Sequence, residues 1–267
     1  MNEFLSASES FSLRFERFKE LIDTSKRIVF FGGAGVSTGS GIPDFRGKDG
    51  LYNNMPEEYK AYEPEYMLSH TCLYTKPELF FTFYRKVMDV RGYKPNAVHK
   101  YLAKLEEQGK VAGVVTQNID LLHEAAGSRK LFKIHGTVSA NHCEKCGKVR
   151  GKDFIFDNTD PIPRCVCGGM VRPDVVLYEE PLPQDAYSGA KNAIRSADLM
   201  IVCGTSLTVE PAASLVSNYV GENLVIINRQ PTKYDQWADI VFHEDMNEIF
   251  RKLMAEEKES AYVTKSI

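Results

Sequence analysis

Four of the six cysteines form two short hooks, Cys143-Glu-Lys-Cys146 and Cys165-Val-Cys167, with 18 residues between them. Each hook is followed by a glycine, Gly147 or Gly168, which lets the backbone fold its amides toward thiolates. Four sulfurs from two hooks match the tetrahedral demand of Zn²⁺, and a site filled by four thiolates keeps no open position for water or substrate. The zinc expected at Cys143, Cys146, Cys165 and Cys167 is therefore structural. Two disulfides or four unpaired buried thiols are the alternatives, and the spacing disfavours both. Cys72 and Cys203 stand alone among apolar neighbours. A zinc ribbon can read nucleic acid, but Glu144, Asp153, Asp157 and Asp160 are mixed with the local Lys and Arg, and no direct nucleic-acid binding is expected.

A second chemical signal is Gly33-Ala34-Gly35-Val36-Ser37-Thr38, which follows the apolar run Arg27–Phe31. A glycine turn at the end of a strand can cradle a pyrophosphate with backbone amides. A simple dehydrogenase fingerprint would place its third glycine at position 38 and an acidic ribose clamp roughly 20 residues on. Position 38 is Thr, and the chain continues into Gly41-Ile42-Pro43-Asp44-Phe45-Arg46. No Gly-Lys-Ser/Thr ending exists for a nucleoside triphosphatase either. Three later apolar runs end in polar sets: Thr116-Gln117-Asn118-Ile119-Asp120, His135-Gly136, and Gly204-Thr205-Ser206; a fourth ends at Asn228. Any one could be a turn or helix cap. Together they predict one crevice at the carboxyl edge of a sheet, where ligands of open α/β folds bind.

The elements that must carry these residues alternate. Strands are expected at Arg27–Phe31, Val111–Thr116, Lys130–Ile134, Val175–Tyr178, Asp198–Cys203, Asn223–Asn228 and Asp239–Phe242. Helices are expected at 12–24 (with Leu13, Phe18, Leu21 and Ile22 as its apolar stripe), Pro95–Glu107, Asp120–Ala126, Gln184–Ser196, Val209–Val220 and Asp245–Glu257. This is an α/β fold with a mostly parallel sheet covered on both faces. The aromatic- and proline-rich stretch 47–94 and the cysteine-bearing stretch 141–171 break the rhythm. They read as insertions forming a smaller helical and zinc-binding lobe, beside a main domain of residues 1–46, 95–140 and 172–267. Residues Lys258–Ile267 read as a frayed tail.

The 267 residues are 43% apolar and 26% charged, with a formal net charge of −3, so a soluble globular chain with a sizeable core is expected and disorder, collagen and coiled coil are not. Near-neutral charge gives no general electrostatic grip on nucleic acid or anionic lipid. No apolar run approaches the ~18 residues of a membrane span, and the first 20 residues lack the pattern of a signal peptide, so a cytoplasmic protein is expected.

Taken in order, Gly33-Ala-Gly-Val-Ser37, Gly41-Ile-Pro-Asp-Phe-Arg46, Thr116-Gln-Asn-Ile-Asp120, His135-Gly136, the two cysteine hooks and Gly204-Thr-Ser206 resemble the sirtuins, over about residues 26–250. The resemblance implies a Rossmann-like NAD-binding domain with a zinc-bearing small lobe. It also implies NAD⁺-consuming removal of an acyl group from protein lysine, giving nicotinamide and 2′-O-acyl-ADP-ribose. By the same resemblance Ala34, Thr38, Arg46, Thr205, Ser206 and Asn228, with Gly33, Gly35, Ser37 and Gly204 around them, hold phosphates and adenosine ribose. Gln117 contacts the nicotinamide ribose; Ile42, Asp44, Phe45, Asn118, Ile119 and Asp120 shape the nicotinamide pocket; Asp245 and Met246 lie near adenine. Catalysis falls to His135, with Asn118. An imidazole titrating near neutrality suits the task of taking a proton from the ribose hydroxyls. His99 reads as structural, and His70, His123, His142 and His243 have no motif behind them.

Two segments matching the family's peptide clamp are Val175–Glu180 and Ser206–Pro211, with Val176, Leu177, Tyr178 and Val209 as substrate contacts and the Val176 carbonyl accepting the acyl-lysine amide. Two departures stand out. Tyr178-Glu179-Glu180 replaces the Phe-Gly-Glu of many members, which narrows the peptide channel or favours basic flanking residues. Members preferring succinyl or malonyl groups carry Tyr-x-x-Arg; the nearest stretch here, Tyr84-Arg85-Lys86-Val87, has no Arg at that place, so an apolar acyl group such as acetyl is expected unless Arg85 or Lys86 substitutes. The first reading is an NAD-dependent deacetylase acting on acetylated lysine in proteins. Mono-ADP-ribosyl transfer and a non-catalytic NAD-sensing zinc-ribbon adaptor are the alternatives.

Overall fold

The computed structural model describes residues 9–265, with side chains described to residue 257. The opening eight residues, part of the leader reading above, lie outside the described residues. In chain order the helices are α1 (Phe11–Thr24), α2 (Gly35–Thr38), α3 (Pro64–Met67), α4 (His70–Thr75), α5 (Pro77–Val87), α6 (Ala97–Glu107), α7 (Leu122–Ala126), α8 (Asp153–Phe156), α9 (Gln184–Arg195) and α10 (Met246–Lys265). The strands are β1 (Ile28–Gly32), β2 (Val111–Thr116), β3 (Leu131–Lys133), β4 (Gly136–Cys143), β5 (Val149–Gly151), β6 (Val171–Val175), β7 (Leu199–Cys203), β8 (Leu224–Ile227) and β9 (Ile240–Phe242).

Six strands form one parallel sheet in the order β3-β2-β1-β7-β8-β9. The chain builds outward from β1 to β3, then returns to lay β7 on the other side of β1. The strand order therefore reverses at β1 and β7, and a ligand crevice is expected outside their carboxyl ends. Both strands are buried along their whole length, which is why they read as continuous apolar runs. Alternate residues feed two cores. Phe30, Val114, Ile201 and Val225 pack with α1, α6 and α10 on one face; Val29, Phe31, Val115, Val202 and Ile226 pack with α9 on the other.

The α1 stripe differs from the expected one. Leu13 is 52% exposed, and Phe15 takes its place with Phe18, Leu21 and Ile22. Phe15, Phe18 and Ile22 follow helical spacing, whereas Leu13 lies well round the helix from Phe18. Ser10 caps the helix by accepting from Leu13 N at 3.3 Å.

Three further expectations need correction. Val175–Tyr178 is not a strand of the parallel sheet: β6 ends at Val175 and belongs to a three-stranded antiparallel sheet, β5-β4-β6. Val209–Val220 is not an α-helix but a 3₁₀ turn over Ala213–Asn218. Pro211 supplies no N–H, and Ser214, Ser217 and Asn218 side chains bond nearby carbonyls, competing with the helical ladder. Helix α10 continues through Lys265, where a frayed tail is expected from Lys258; Glu, Lys and Ala in this stretch are good helix formers.

Stretch 47–94 folds into α3, α4, α5 and a 3₁₀ turn at Glu57–Tyr59. Its core of Tyr59, Met67, Leu73, Phe80, Phe81, Phe83 and Tyr84 takes in Ile155 of α8. Tyr84 stacks between Phe80 and Phe156, each at 5.6 Å between ring centroids, joining the helical insertion to the cysteine-bearing one.

The four hook thiols lie within 4.8 Å of one another. The pairs Cys143–Cys167 and Cys146–Cys165 are separated by 3.5 and 3.8 Å, far beyond the roughly 2.05 Å of a disulfide. All are free thiols. Gly147 and Gly168 take positive φ (68° and 81°), turning each hook back on itself so that Gly147 N donates to Cys143 O and Gly168 N to Cys165 O. The Cys165 thiol is lowered to about 6 by the Cys167 amide and by the Arg150 guanidinium, which favours the thiolate that a metal requires. A four-thiol set of this geometry could hold a zinc ion.

Gly204, at φ 58°, sits where an added Cβ would come within 2.5 Å of Val36 N. Gly204→Ala is expected to cost about 1–3 kcal/mol, read as a lower urea midpoint at unchanged m; an unchanged midpoint would contradict the close approach. Stripping the metal with a chelator, or making Cys146→Ser, is expected to lower the thermal midpoint and abolish one zinc per chain by elemental analysis. Full thermal stability without metal would remove zinc's structural role.

Candidate active site

The site is assembled where the β1 and β7 turns cross. Gly33 N donates to Cys203 O (3.1 Å) and Gly35 N to Gly204 O (2.9 Å), so two backbones touch with no side chain between them. A Cβ on Gly33 would meet Thr205 Cβ at 2.6 Å, and one on Gly35 would meet Gly204 Cα at 2.8 Å. The next two amides, of Val36 and Ser37, are taken by Gly33 O and Ala34 O. Thr38 hydroxyl turns back to Gly35 O at 2.9 Å. Two amides therefore hold the crossing and two close the turn, while among the described residues the Ala34 amide has no protein acceptor, so an anion beside it must find side-chain donors as well.

The crossing orders a polar chain behind it. Thr116 Oγ1 accepts from Asn118 N, Asn118 Nδ2 donates to Ser37 Oγ at 3.0 Å, and Ser37 Oγ–H donates to Asp120 Oδ2 at 2.7 Å. Asp120 also accepts from Leu122 N. Ser37, Asn118 and Asp120 are all buried, and burial raises the Asp120 carboxyl above its ordinary value. Gln117 points the other way along the same segment, donating from Nε2 to Thr205 Oγ1 at 3.1 Å. Thus the ends of β1, β2 and β7 are tied through side chains of Ser37, Gln117, Asn118 and Thr205.

His135 is fixed at two points. Its carbonyl accepts from Val176 N (2.9 Å), and Nδ1 lies 3.1 Å from Gln117 O. A carbonyl can only accept, so Nδ1 carries the proton and Nε2 holds the lone pair. Burial lowers the imidazole below its ordinary value, with the Gln117 carbonyl opposing, so the ring is a neutral base at physiological pH. Gly136 beside it has φ 77° and passes so close to Asp174 O that a Cβ would clash at 2.2 Å. No such constellation surrounds the other histidines. His99 caps α6 through Asn96, His123 is buried against it, His142 pairs with Asp174, His243 donates to Asn228 O, and His70 packs at a tilt against Tyr74.

The strap from Val176 to Glu180 leaves β6 beside His135. Tyr178 N donates to Leu68 O and its carbonyl accepts from His70 N. Glu179 occupies φ 75°, a region that favours glycine, and its carboxylate accepts from Thr71 N and Oγ1 at 2.8 and 2.7 Å. Glu180 makes a two-pronged ion pair with Arg172 (2.6 and 2.9 Å) and accepts from Leu177 N. Among the described residues the Val176 carbonyl receives no donor. Leu177 is buried, and Val209 lies half-buried beyond Gly204-Thr205-Ser206, whose Ser206 hydroxyl bonds Thr208.

Residues Asp44–Tyr52 close on themselves: Leu51 N and Tyr52 N donate to Asp44 O and Phe45 O, and Gly47 N to Asp44 Oδ1. Phe45 packs edge-on against Tyr52, and Ile42 and Ile119 are half-buried. Arg46 reaches Tyr178 and Glu65. Asn228, Asp245 and Met246 form a separate set at the ends of β8 and β9. Asn228 donates to Gln230 O, Asp245 caps α10 through Asn247 N and pairs with Arg229, and Met246 is buried under the sheet. Arg85 donates to Ile155 O and Asp160 O, and Lys86 pairs with Glu58. Sequence reasoning gave no site role to Thr71, Tyr52 and Glu65. They sit in ordinary turn or helix-start contexts, and only their partners in space mark them.

The family model described as Sir2 family matches residues 33–211, which spans the crossing, both insertions and the strap. An NAD-dependent protein deacetylase of Clostridium tetani is 47% identical over 242 residues, 90% of this chain and 97% of that protein. One of Cutibacterium acnes is 49% identical over 231 residues, 86% of this chain and 93% of that protein. A solved Sir2 structure with a p53 peptide and NAD⁺ is 37% identical, with a TM-score of 0.81 and coverage of 91% of this chain and 98% of that chain. Another, with deacetylated p53 peptide and 3′-O-acetyl ADP ribose, has a TM-score of 0.83 at 37% identity over the same shares. With the fold, the six ordered motifs and these likenesses in agreement, the chain belongs to the Sir2 family, the sirtuins.

Proposed function

We propose that the chain is an NAD-dependent protein deacetylase that removes the acetyl group from lysine side chains of protein substrates and that His135 is its general base. The observation that carries this reading is the imidazole held by Gln117 O through Nδ1, with Nε2 left to accept a proton. NAD, when bound, supplies the nicotinamide leaving group and the ribose carbon that receives the acetyl oxygen. The residues present fit such a group: a side-chain-free crossing at the strand-order reversal, and a buried amide–hydroxyl–carboxylate chain beside it.

In this reading His135 Nε2 takes a proton from a ribose hydroxyl. The Ser37–Asn118–Asp120 chain holds Asn118 and Asp120 rigid so that their remaining polar atoms orient the carboxamide and exclude stray water. Ile42, Asp44, Phe45 and Ile119 complete that pocket. Ala34, Thr38, Arg46, Thr205, Ser206 and Asn228 serve the phosphates and adenosine ribose, Gln117 the other ribose, and Asp245 and Met246 the adenine side. The peptide lies along Val176–Tyr178 and Val209, its acyl-lysine amide donating to the Val176 carbonyl. The engaged cations Arg85 and Lys86 favour a neutral acyl group.

The domain division 1–46, 95–140 and 172–267 against 47–94 and 141–171 belongs to the same proposal, supported by an aromatic core drawn mainly from the insertions, to which Val138, Val175 and Leu177 of the main domain add. No helix among the described residues is long and apolar enough to cross a membrane. Free thiols and reliance on NAD support a cytoplasmic location, and the mixed charge of the ribbon supports protein rather than nucleic acid as partner.

Incubation with NAD⁺ and acetyl-, succinyl- and malonyl-lysine peptides is expected to give deacetylated peptide and O-acetyl-ADP-ribose in equal amounts, with acetyl turned over fastest. A peptide heavier by ADP-ribose would favour transfer instead, and absence of any NAD consumption would favour a sensor. His135→Ala is expected to lower kcat by about 10²–10⁴-fold. The acid limb of the wild-type kcat/KM profile is expected below 6.5, because the base works only when neutral and burial depresses its titration. A limb above 6.5, or full activity without the imidazole, would overturn the assignment.

A further inference from the structure

Arg46 is held on one edge only. Its Nη2 donates to Tyr178 Oη (3.1 Å) and to Glu65 Oε1 (3.2 Å), and its guanidinium carbon lies 5.2 Å from the centroid of the Tyr52 ring. Tyr52 and Tyr178 hydroxyls are 2.9 Å apart. Among the described residues, Nε and Nη1 of Arg46 have no protein acceptor. A guanidinium stacked and anchored through one nitrogen presents its remaining donors in a fixed fork, the geometry that suits a phosphate.

The anchors come from different places. Tyr52 lies in the same closed loop as Arg46, and Glu65 is in α3. Tyr178 is in the strap, whose backbone is fixed by Leu68 and His70 and whose neighbours Glu179 and Glu180 are fixed by Thr71 and Arg172. The phenol of Tyr178 is therefore the tie between a rigid strap and the loop that carries Arg46. A phenylalanine here, as in the Phe-Gly-Glu version of this segment, would keep the ring and lose both hydroxyl contacts. Because the amides of Gly33 and Gly35 hold the crossing and those of Val36 and Ser37 close the turn, side chains such as Arg46 must share the binding of an anion there with the Ala34 amide.

We propose that Tyr178, through its hydroxyl, and Glu65 are positioning residues that orient Arg46 toward the cofactor pyrophosphate and thereby link the peptide-binding strap to the cofactor loop. This deepens the proposed function and rests on the assignment of Arg46 to the phosphates.

The test is calorimetric titration of the zinc-loaded chain with ADP-ribose, with adenosine as the probe lacking phosphates. Wild-type binding of ADP-ribose checks the parent reading; if it fails, that reading fails first. Given that binding, Tyr178→Phe is expected to raise the Kd for ADP-ribose about 3–10-fold, the share of a hydrogen bond or two, while the Kd for adenosine stays within twofold. In the Arg46→Ala background the same substitution is expected to add nothing, since both changes remove one interaction. Glu65→Gln is expected to act in the same direction as Tyr178→Phe. Unchanged ADP-ribose affinity in Tyr178→Phe, or full additivity with Arg46→Ala, would overturn the proposal. So would equal losses for adenosine and ADP-ribose, which would mark a general loosening of the fold.

Discussion

Two backbones in contact, without a side chain between them, set the position of everything else in this protein. Gly33 and Gly35 at the end of β1 bond to Cys203 O and Gly204 O at the end of β7, and no larger residue fits at those places. The contact sits where the strand order reverses, so it fixes the floor of the crevice at the one location an open parallel sheet offers a ligand. Thr205 follows directly from it, Thr205 receives Gln117, and the Gln117 carbonyl receives His135. The crossing and the imidazole are thus joined by two direct hydrogen bonds between residues that closely follow β7, β2 and β3.

Much of this was legible in the sequence, and for a physical reason. The strands of a covered parallel sheet are continuous apolar runs, so β1, β2, β7, β8 and β9 are visible without their partners. Glycine pairs and cysteine hooks are legible because no other residue can do their work. Strand β4 was not, since Thr137, Ser139, Asn141 and His142 give no apolar alternation; its pairing is dictated by β6 and the hooks rather than by its own pattern. The 3₁₀ turn at Ala213–Asn218 hid behind helix-compatible residues, and its Ser and Asn side chains redirected the bonding.

Within the site, the sequence marks residues that stand in motifs and passes over those that act only through a neighbour. Ser37 illustrates the boundary. It sits in the glycine turn by sequence, but its part in joining Asn118 to Asp120 follows from the 3.0 and 2.7 Å bonds that the fold brings about. Glu179 is a case of a local rule broken with compensation: a non-glycine residue at positive φ whose carboxylate is secured by the first turn of α4. The strap leaves strand geometry at this residue, although its apolar run reads as a strand.

The strap also has an upstream end. Eight residues, five of them β6, separate the second thiol hook from Val176, and Val171 packs in the same small core as Cys143 and Cys165. A disturbance of the hooks would therefore reach Val176 along one short strand, whereas the crossing of β1 and β7 belongs to the other sheet.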